Sequence, residues 1–374
     1  MSGAYIVRGD ARSLPLADKS VQCIVTSPPY FGLRSYGGQT SVWDGDPECE
    51  HVWDTRPRAL QNGGSGTASA KQISNHGTQL AKEPWTQSHC WSCEAWKGEL
   101  GSEPTPTLFV AHLMEVMAEC WRVLRDDGVA FVNLGDSYAS HDPGGYRKGE
   151  FLNPGGRPPV KGEARNRAGS YRPSGTKPKS LLLVPERFAI ALSDAGWIVR
   201  SRIAWCKAAP MPESVRDRPT SAWEHIWMLS KQGRYFWCQE AVRETAIHEG
   251  RVVKASGLTA KNAVSPDATN DRRTAVGFTT HDTIVSGRNL WNYWVIPPDP
   301  YPGAHFATFP REIPRRCIAA ASREGDVVLD PFGGSQTVAF VAASMGRVGV
   351  GIELSAEYID QARTNRLAQN FLGL

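Results

Sequence analysis

Two short loops in this 374-residue chain gather residue types able to bind and activate a flat, amine-bearing molecule. The first is Thr26-Ser27-Pro28-Pro29-Tyr30. Consecutive prolines fix φ and remove two backbone donors, so carbonyls there are presented as rigid acceptors. A hydroxyl before them and an aromatic ring after them make a slot. Its oxygens accept hydrogen bonds from an exocyclic NH2 while Tyr30 stacks on the ring. Taken alone, the same tetrapeptide is equally well a rigid turn. The second loop is Asp330-Pro331-Phe332-Gly333-Gly334-Ser335-Gln336-Thr337. Paired glycines let the backbone approach a ligand closely, and the helix start behind them favours polar or anionic groups. About twenty residues on, Glu353 closes the next apolar run, placed to accept hydrogen bonds from ribose hydroxyls.

A third constellation is metal-like. Cys49-Glu50-His51 and His89-Cys90-Trp91-Ser92-Cys93 lie in polar, Trp-rich sequence. A C-x-x-C clip with a C-x-H pair can close a tetrahedral Zn2+ site of Cys3His type, with His51 and His89 competing for the fourth position. Trp53, Trp91 and Trp96 either form a small core around the ion or stack on a nucleic acid. The other five cysteines, Cys23, Cys120, Cys206, Cys238 and Cys317, sit singly in apolar stretches and read as buried core.

These loops need a scaffold, and the hydrophobic pattern predicts one. Strands are expected at 5–7, 21–25, 129–134, 198–205, 327–329 and 348–352. Helices are expected at 104–124, 181–195, 311–322, 336–344 and 357–372, and a strand pair or strand–helix edge at 221–229 and 235–237. Strands alternating with helices predict an α/β fold with a doubly wound, mostly parallel sheet, where ligands sit at the carboxyl ends of the strands. Both loops occupy such ends.

Composition bounds the rest. Hydrophobic residues make up 41% of the chain, enough for a sizeable core. No apolar run approaches the length of a membrane span, and the opening residues lack a signal peptide's apolar stretch, so an intracellular, cytoplasmic protein without membrane contact is expected. The net charge is only +4, but residues 141–180 carry nine Lys or Arg against three acids, a local +6 in Gly- and Pro-rich sequence. Such a segment reads as a phosphate-tracking arm or as a solvated linker.

Taken together and in this order, the motifs resemble the amino-methyltransferases of DNA, the N4-cytosine/N6-adenine family that uses S-adenosylmethionine. The family's [DNS]-P-P-[YF] tetrapeptide matches Ser27-Pro28-Pro29-Tyr30, and its D-P-F-x-G-S-G-T loop matches Asp330–Thr337. The catalytic motif precedes the cofactor motif, which is the circularly permuted order of the family's β group. The resemblance implies a Rossmann-like fold and catalytic roles for Ser27, Pro28, Pro29 and Tyr30. It implies cofactor contacts from Asp10, Thr26, Thr308, Phe309, Asp330, Pro331, Phe332, Gly333, Gly334, Ser335, Thr337 and Glu353. Asn133–Ser137 and Trp205–Ser214 resemble segments flanking the target-base pocket. The Cys/His segment resembles a zinc insertion carried by some members, with Cys49, His51, Cys90 and Cys93 as ligands of a structural ion.

The same resemblance implies a double-stranded DNA substrate whose base is flipped out, methylated at cytosine N4 (favoured by Ser27 in the first motif position) or at adenine N6. It also implies a cognate restriction endonuclease as companion in a bacterium or phage. The catalytic domain would comprise 1–40, 104–140, 181–240 and 289–374. Residues 41–103 would form the zinc insertion, 141–180 a basic arm and 241–288 a variable, target-reading segment. One departure stands out: Gln336 replaces a glycine of the cofactor loop, adding a side chain where backbone approaches the cofactor. The rival reading is a non-catalytic, zinc-stabilised DNA-binding module; a protein-glutamine methyltransferase, which also uses a P-P-Y slot, fits less well.

Overall fold

The computed structural model describes residues 3–32, 40–53, 88–139, 176–210, 212–245, 252–253, 283–284, 287–297, 299 and 310–368. They fall into two units, 1–236 with 292–374, and 237–291. Thr308 and Phe309, expected at the cofactor, lie outside the described residues, as do nearly all of the basic arm and most of 241–288.

The larger unit is built on an eight-stranded sheet. Its strands are β1 (Gly3–Arg8), β2 (Val21–Thr26), β6 (Leu124–Leu134), β7 (Ile198–Lys207), β8 (Trp223–Ser230), β11 (Tyr293–Ile296), β12 (Val327–Asp330) and β13 (Val348–Glu353), in the order β1-β13-β12-β2-β6-β8-β7-β11. All neighbours pair in parallel except β8, which runs antiparallel to both β6 and β7. The sheet is therefore mostly parallel, as the alternating pattern predicts. Seven strands share one direction, so the loops after β1, β2, β6, β12 and β13 emerge at one edge. Every residue of β2 is buried, as befits a central strand covered on both faces.

Helices α1 (Pro106–Val123) and α2 (Val184–Asp194) pack together over one core. Phe109, Leu113, Val116 and Cys120 of α1 meet Phe188 and Leu192 of α2 and Ile24, Ala130 and Val132 of the sheet. Thr105 starts α1 by accepting from the Leu108 N–H at 3.0 Å, with Pro106 in the first turn where no donor is missed. Helix α3 (Glu312–Ala321) packs on β2, β6 and α4 (Thr337–Ser344), while α5 (Ala356–Ala368) covers β1 and β13.

A small antiparallel sheet, β3 (Ser41–Trp43), β5 (Trp96–Gly98) and β4 (Ser88–His89), is formed by the Cys/His segment. In the smaller unit the described residues form a 3-10 turn at Glu240–Val242, a two-strand ribbon of β9 (Val252–Val253) with β10 (Thr283–Ile284), and a bridge between Glu244 and Arg288.

Three expectations are corrected. Of the expected edge, residues 223–229 belong to one strand, β8, and Tyr235–Trp237 are not a strand. The strand expected at 129–134 already begins at Leu124, which also ends α1; Gly128 sits inside the strand, against Leu124. Cys23, Cys120 and Cys317 are buried as expected, but Cys206 and Cys238 are only half-buried: Cys206 alternates with the buried Ile203 and Trp205 along β7, and Cys238 lies in a loop outside any strand or helix.

Candidate active site and metal cluster

The loops leaving β2 and β12 are neighbours because these strands pair directly, with Cys23 opposite Val328 and Ile24 opposite Leu329. The last residue of each strand then meets the other: Thr26 Oγ1 donates to Asp330 Oδ1 at 2.7 Å, both residues buried. This is also where successive strands run off in opposite directions along the sheet, the crevice in which open α/β sheets bind ligands. A cleft of about 1040 Å³ opens there. Its walls include Asp10, Ser27–Tyr30, Asn133, Gly135, Lys207, Glu224, Asp330–Ser335, Thr337 and Glu353. Apart from Thr26, which is buried and off the cavity wall, the sequence-picked residues from both loops thus share one cavity, large enough for a cofactor and a base side by side.

The half of the cleft below β12 and β13 is shaped by acids. Burial pushes the Asp330 carboxyl up to about 7, with the Glu353 charge adding to it, against the lowering pull of Thr26 and the Phe332 N–H. Glu353 is also raised by burial, while its two oxygens accept from the backbone N–H groups of Gly334 at 2.9 Å and Ser355 at 2.8 Å. Each oxygen keeps acceptor capacity for a further hydroxyl. Gly334 adopts φ +48°, a conformation that glycine supplies without strain, and this aims its N–H at Glu353. At the end of β1, Asp10 is held by Arg12 through Nε and Nη2, at 3.1 and 2.7 Å. Burial lifts Asp10, but the Arg12 bonds and charge outweigh it and leave the carboxyl below its usual range.

Gln336 behaves differently from expectation. Its backbone is left-handed, with φ 61°, and its side chain is fully buried and absent from the cleft walls. The amide lies over Gly333 and Gly351, where an added Cβ would fall 2.2 Å and 1.7 Å from it, and neither of its polar atoms finds a partner among the described residues. The loop therefore accommodates Gln by turning it into the core, away from the ligand face.

The other half of the cleft is a polar network around the Pro-Pro loop. Tyr30 OH donates to Glu224 Oε2 at 2.6 Å and receives Asn133 Nδ2 at 2.6 Å and the Ser27 hydroxyl at 3.3 Å. Asn133 Nδ2 also lies 3.1 Å from Glu224 Oε2, and Lys207 pairs with Glu224 Oε1. Asp136, beside them in sequence, serves the scaffold: it accepts from the N–H groups of Ser137, Leu183 and Val184 and so holds the start of α2. Sequence reasoning missed Glu224. Its one local signal is an acid at the start of the strand Trp223–Ser230, just ahead of the apolar run Ile226–Leu229.

The four picked metal residues do converge. Ligand atoms of Cys49, His51, Cys90 and Cys93 all lie within 4.8 Å of one another, with the Cys49 and Cys90 sulfurs 3.9 Å apart and Cys93 Sγ 3.3 Å from His51 Nδ1. His89 is not among them; its strand pairs with β5 and leaves it exposed. Trp96 is buried, Trp91 is exposed, and Trp53 lies against His51 with ring centroids 4.6 Å apart.

The small sheet is clamped to α1 by a group the sequence did not single out. His112, fully buried, lies between Trp43 and Trp96 and joins Glu103 through Nδ1 at 3.0 Å and Asp44 through Nε2 at 2.9 Å. Burial opposes its charge, but the two carboxylates outweigh it and raise its affinity for a proton. Arg12 extends the clamp to the cleft, donating to the Val42 carbonyl at 2.6 Å and lying 4.2 Å from the Trp43 ring centroid.

The chain is similar to known proteins. Residues 21–364 match the N6/N4 methyltransferase family model, described as DNA methylase. Type II methyltransferase M.Cfr9I of Citrobacter freundii is 35% identical over 369 residues, covering 98% of this chain and 88% of its own. Type II methyltransferase M.XycI of Xanthomonas campestris pv. cyanopsidis is 32% identical over 372 residues, covering 99% and 90%. Among solved structures, the PvuII DNA methyltransferase, described as cytosine-N4-specific, matches with a TM-score of 0.53 at 16% identity, covering 99% of this chain and 88% of that one. At that identity the likeness is one of fold.

Proposed function

We propose, from the premise that this chain belongs to the family of N6/N4 DNA methylases, that its cleft methylates N4 of a cytosine flipped out of double-stranded DNA. The observation that carries this reading is the Thr26–Asp330 hydrogen bond, which sets the Pro-Pro slot directly beside the Gly-Gly loop. When bound, S-adenosylmethionine supplies an electrophilic methyl group. Asp10 and Glu353 have the acceptor capacity to hold an adenosine, and the inward turn of Gln336 leaves the loop's ligand face open, so the residues present fit this cofactor. Asp330, Pro331, Phe332, Gly333, Ser335 and Thr337 would shape the rest of its seat.

An exocyclic amine is a poor nucleophile, because its lone pair is delocalised into the ring. Ser27 Oγ and the Pro28 carbonyl accept its N–H bonds and draw the nitrogen towards tetrahedral geometry. Its lone pair then points along the line of methyl transfer, with fixed positioning as the main catalytic effect. Pro29 keeps the carbonyl rigid, and Tyr30 flanks the base.

Catalytic loop before cofactor loop is the permuted order of the β group, with the catalytic domain and insertions divided as the sequence suggests. Cys49, His51, Cys90 and Cys93 fit a structural zinc ion: bonds of about 2.3 Å to sulfur and about 2.0 Å to nitrogen in a tetrahedron span separations close to those present. Among the described residues no helix is long and apolar enough to cross a membrane. A cytoplasmic site of action, beside a cognate restriction endonuclease, completes the reading. Incubating DNA with the protein and labelled cofactor, then identifying the modified nucleoside by mass spectrometry, tests it: N4-methylcytosine is expected, and N6-methyladenine would reassign the base.

A further inference from the structure

Methylating an amine leaves a proton to be removed, and the Pro-Pro slot contains a directed path for it. Tyr30 OH has one proton and two lone pairs. Ser27 Oγ and Asn133 Nδ2 both present donors to that oxygen, at 3.3 and 2.6 Å, so the Tyr30 proton is turned to Glu224 Oε2 at 2.6 Å. Ser27 in turn spends its own proton on Tyr30 and has, besides a long 3.5 Å contact from Asn133, acceptor capacity on the cleft wall. Both donors in the series, Ser27 and then Tyr30, thus point along the cleft wall towards the Glu224 carboxylate.

The other acids beside the two loops are committed elsewhere. Asp10 is held by Arg12, Asp136 by three backbone N–H groups, Asp330 by Thr26, and Glu353 by Gly334 and Ser355. Among the described residues, Glu224 is the acid that hydrogen bonds join to the catalytic tetrapeptide. Lys207 pairs with its far oxygen, Oε1, and leaves Oε2 to Tyr30 and Asn133.

We propose, resting on the methyl-transfer reading above, that Glu224 is the terminal acceptor of the amine proton, reached through Ser27 and Tyr30. As the N–CH3 bond forms, the S–CH3 bond breaks, its electron pair stays on sulfur, and positive charge passes to the amine. The amine N–H then breaks: its proton goes to Ser27 Oγ, the Ser27 proton to Tyr30 Oη, and the Tyr30 proton to the Glu224 carboxylate. The products are the neutral thioether, the neutral methylamine and a protonated Glu224, so charge and atoms balance. The motif also admits Phe in place of Tyr, and a chain with Phe there lacks this path. The relay is therefore a property of this chain's own combination of Tyr30 and Glu224.

The test is single-turnover methyl transfer to DNA by wild type, Glu224→Gln, Tyr30→Phe and the double variant, with cofactor and DNA affinities measured alongside. The expected result is a fall of about 100-fold for each single variant with affinities little changed, the scale of lost proton-transfer catalysis. The double variant should be no slower than either, since both break one path. Added formate should speed Glu224→Ala in proportion to its concentration, a rescue that a purely structural role would not give. Should Glu224→Gln unfold, the Tyr30→Phe rate and the formate response decide. Wild-type turnover accompanied by unchanged rates in the variants, additive losses or no formate response overturns the relay alone. A wild type that transfers no methyl group to DNA overturns the function and the relay together.

Discussion

Thr26 Oγ1 and Asp330 Oδ1 lie 2.7 Å apart although 304 residues separate them in sequence. This bond ties the base slot to the cofactor loop. Replacing Thr26 with Val keeps the shape and deletes the donor. The Asp330 carboxyl, which this bond holds down, then rises further. Loss of a buried hydrogen bond costs about 1–3 kcal/mol of stability. Cofactor affinity, read by calorimetry, is expected to fall about tenfold, the equivalent of about 1.4 kcal/mol; unchanged affinity would show that the two loops are held together by other contacts.

Asp330 also makes stability depend on pH. Its carboxyl stands at about 7 in the folded protein against 3.8 unfolded. The folded state binds the proton more tightly, so this contribution is fully present below pH 3.8 and is lost as pH rises through 7. Denaturation midpoints of Asp330→Asn and wild type should therefore diverge between pH 5 and about 8, wild type losing ground as pH rises. Parallel curves would remove the assignment of a protonated, buried Asp330.

Gln336 and Gly351 form a coupled pair. A Cβ at residue 351 would sit 1.7 Å from Gln336 Oε1. Gly351→Ala is expected to destabilise the protein by about 1–3 kcal/mol through overpacking. Adding Gln336→Gly should recover part of that loss, while Gln336→Gly alone should leave cofactor affinity within about threefold, under 1 kcal/mol. Additive losses in the double variant would mean that the amide does not occupy the Gly351 notch.

Chelation offers a separate test of the Cys/His cluster. Purified protein is expected to carry one zinc per chain, measured by atomic emission. Removing it should expose the backbone of β3, β4 and β5 to hydrogen exchange while α1 and the large sheet stay protected. A metal-free protein with the small sheet already protected would make the cluster a thiol–imidazole packing motif.

Both ligand loops are legible in the sequence because Pro28-Pro29 and Gly333-Gly334 act locally: each constrains its own backbone whatever surrounds it. The alternation of helix and strand is legible for the same reason. Glu224 is not, since its role depends on β8 inserting antiparallel between β6 and β7, which brings it beside Tyr30 from 194 residues away. The choice of His51 over His89 depends on the pairing of β4 with β5, and the inward turn of Gln336 on a notch left by Gly351 in the next strand. Arg12 and His112 join elements distant in sequence, so no local pattern marks them.

The most direct test of the central claim compares wild type with Ser27→Ala on unmodified DNA, with labelled S-adenosylmethionine and nucleoside mass spectrometry. Wild type is expected to yield labelled N4-methylcytosine, and Ser27→Ala none above background while still binding cofactor by calorimetry. Label on C5 of cytosine, or undiminished turnover by Ser27→Ala, would contradict the account.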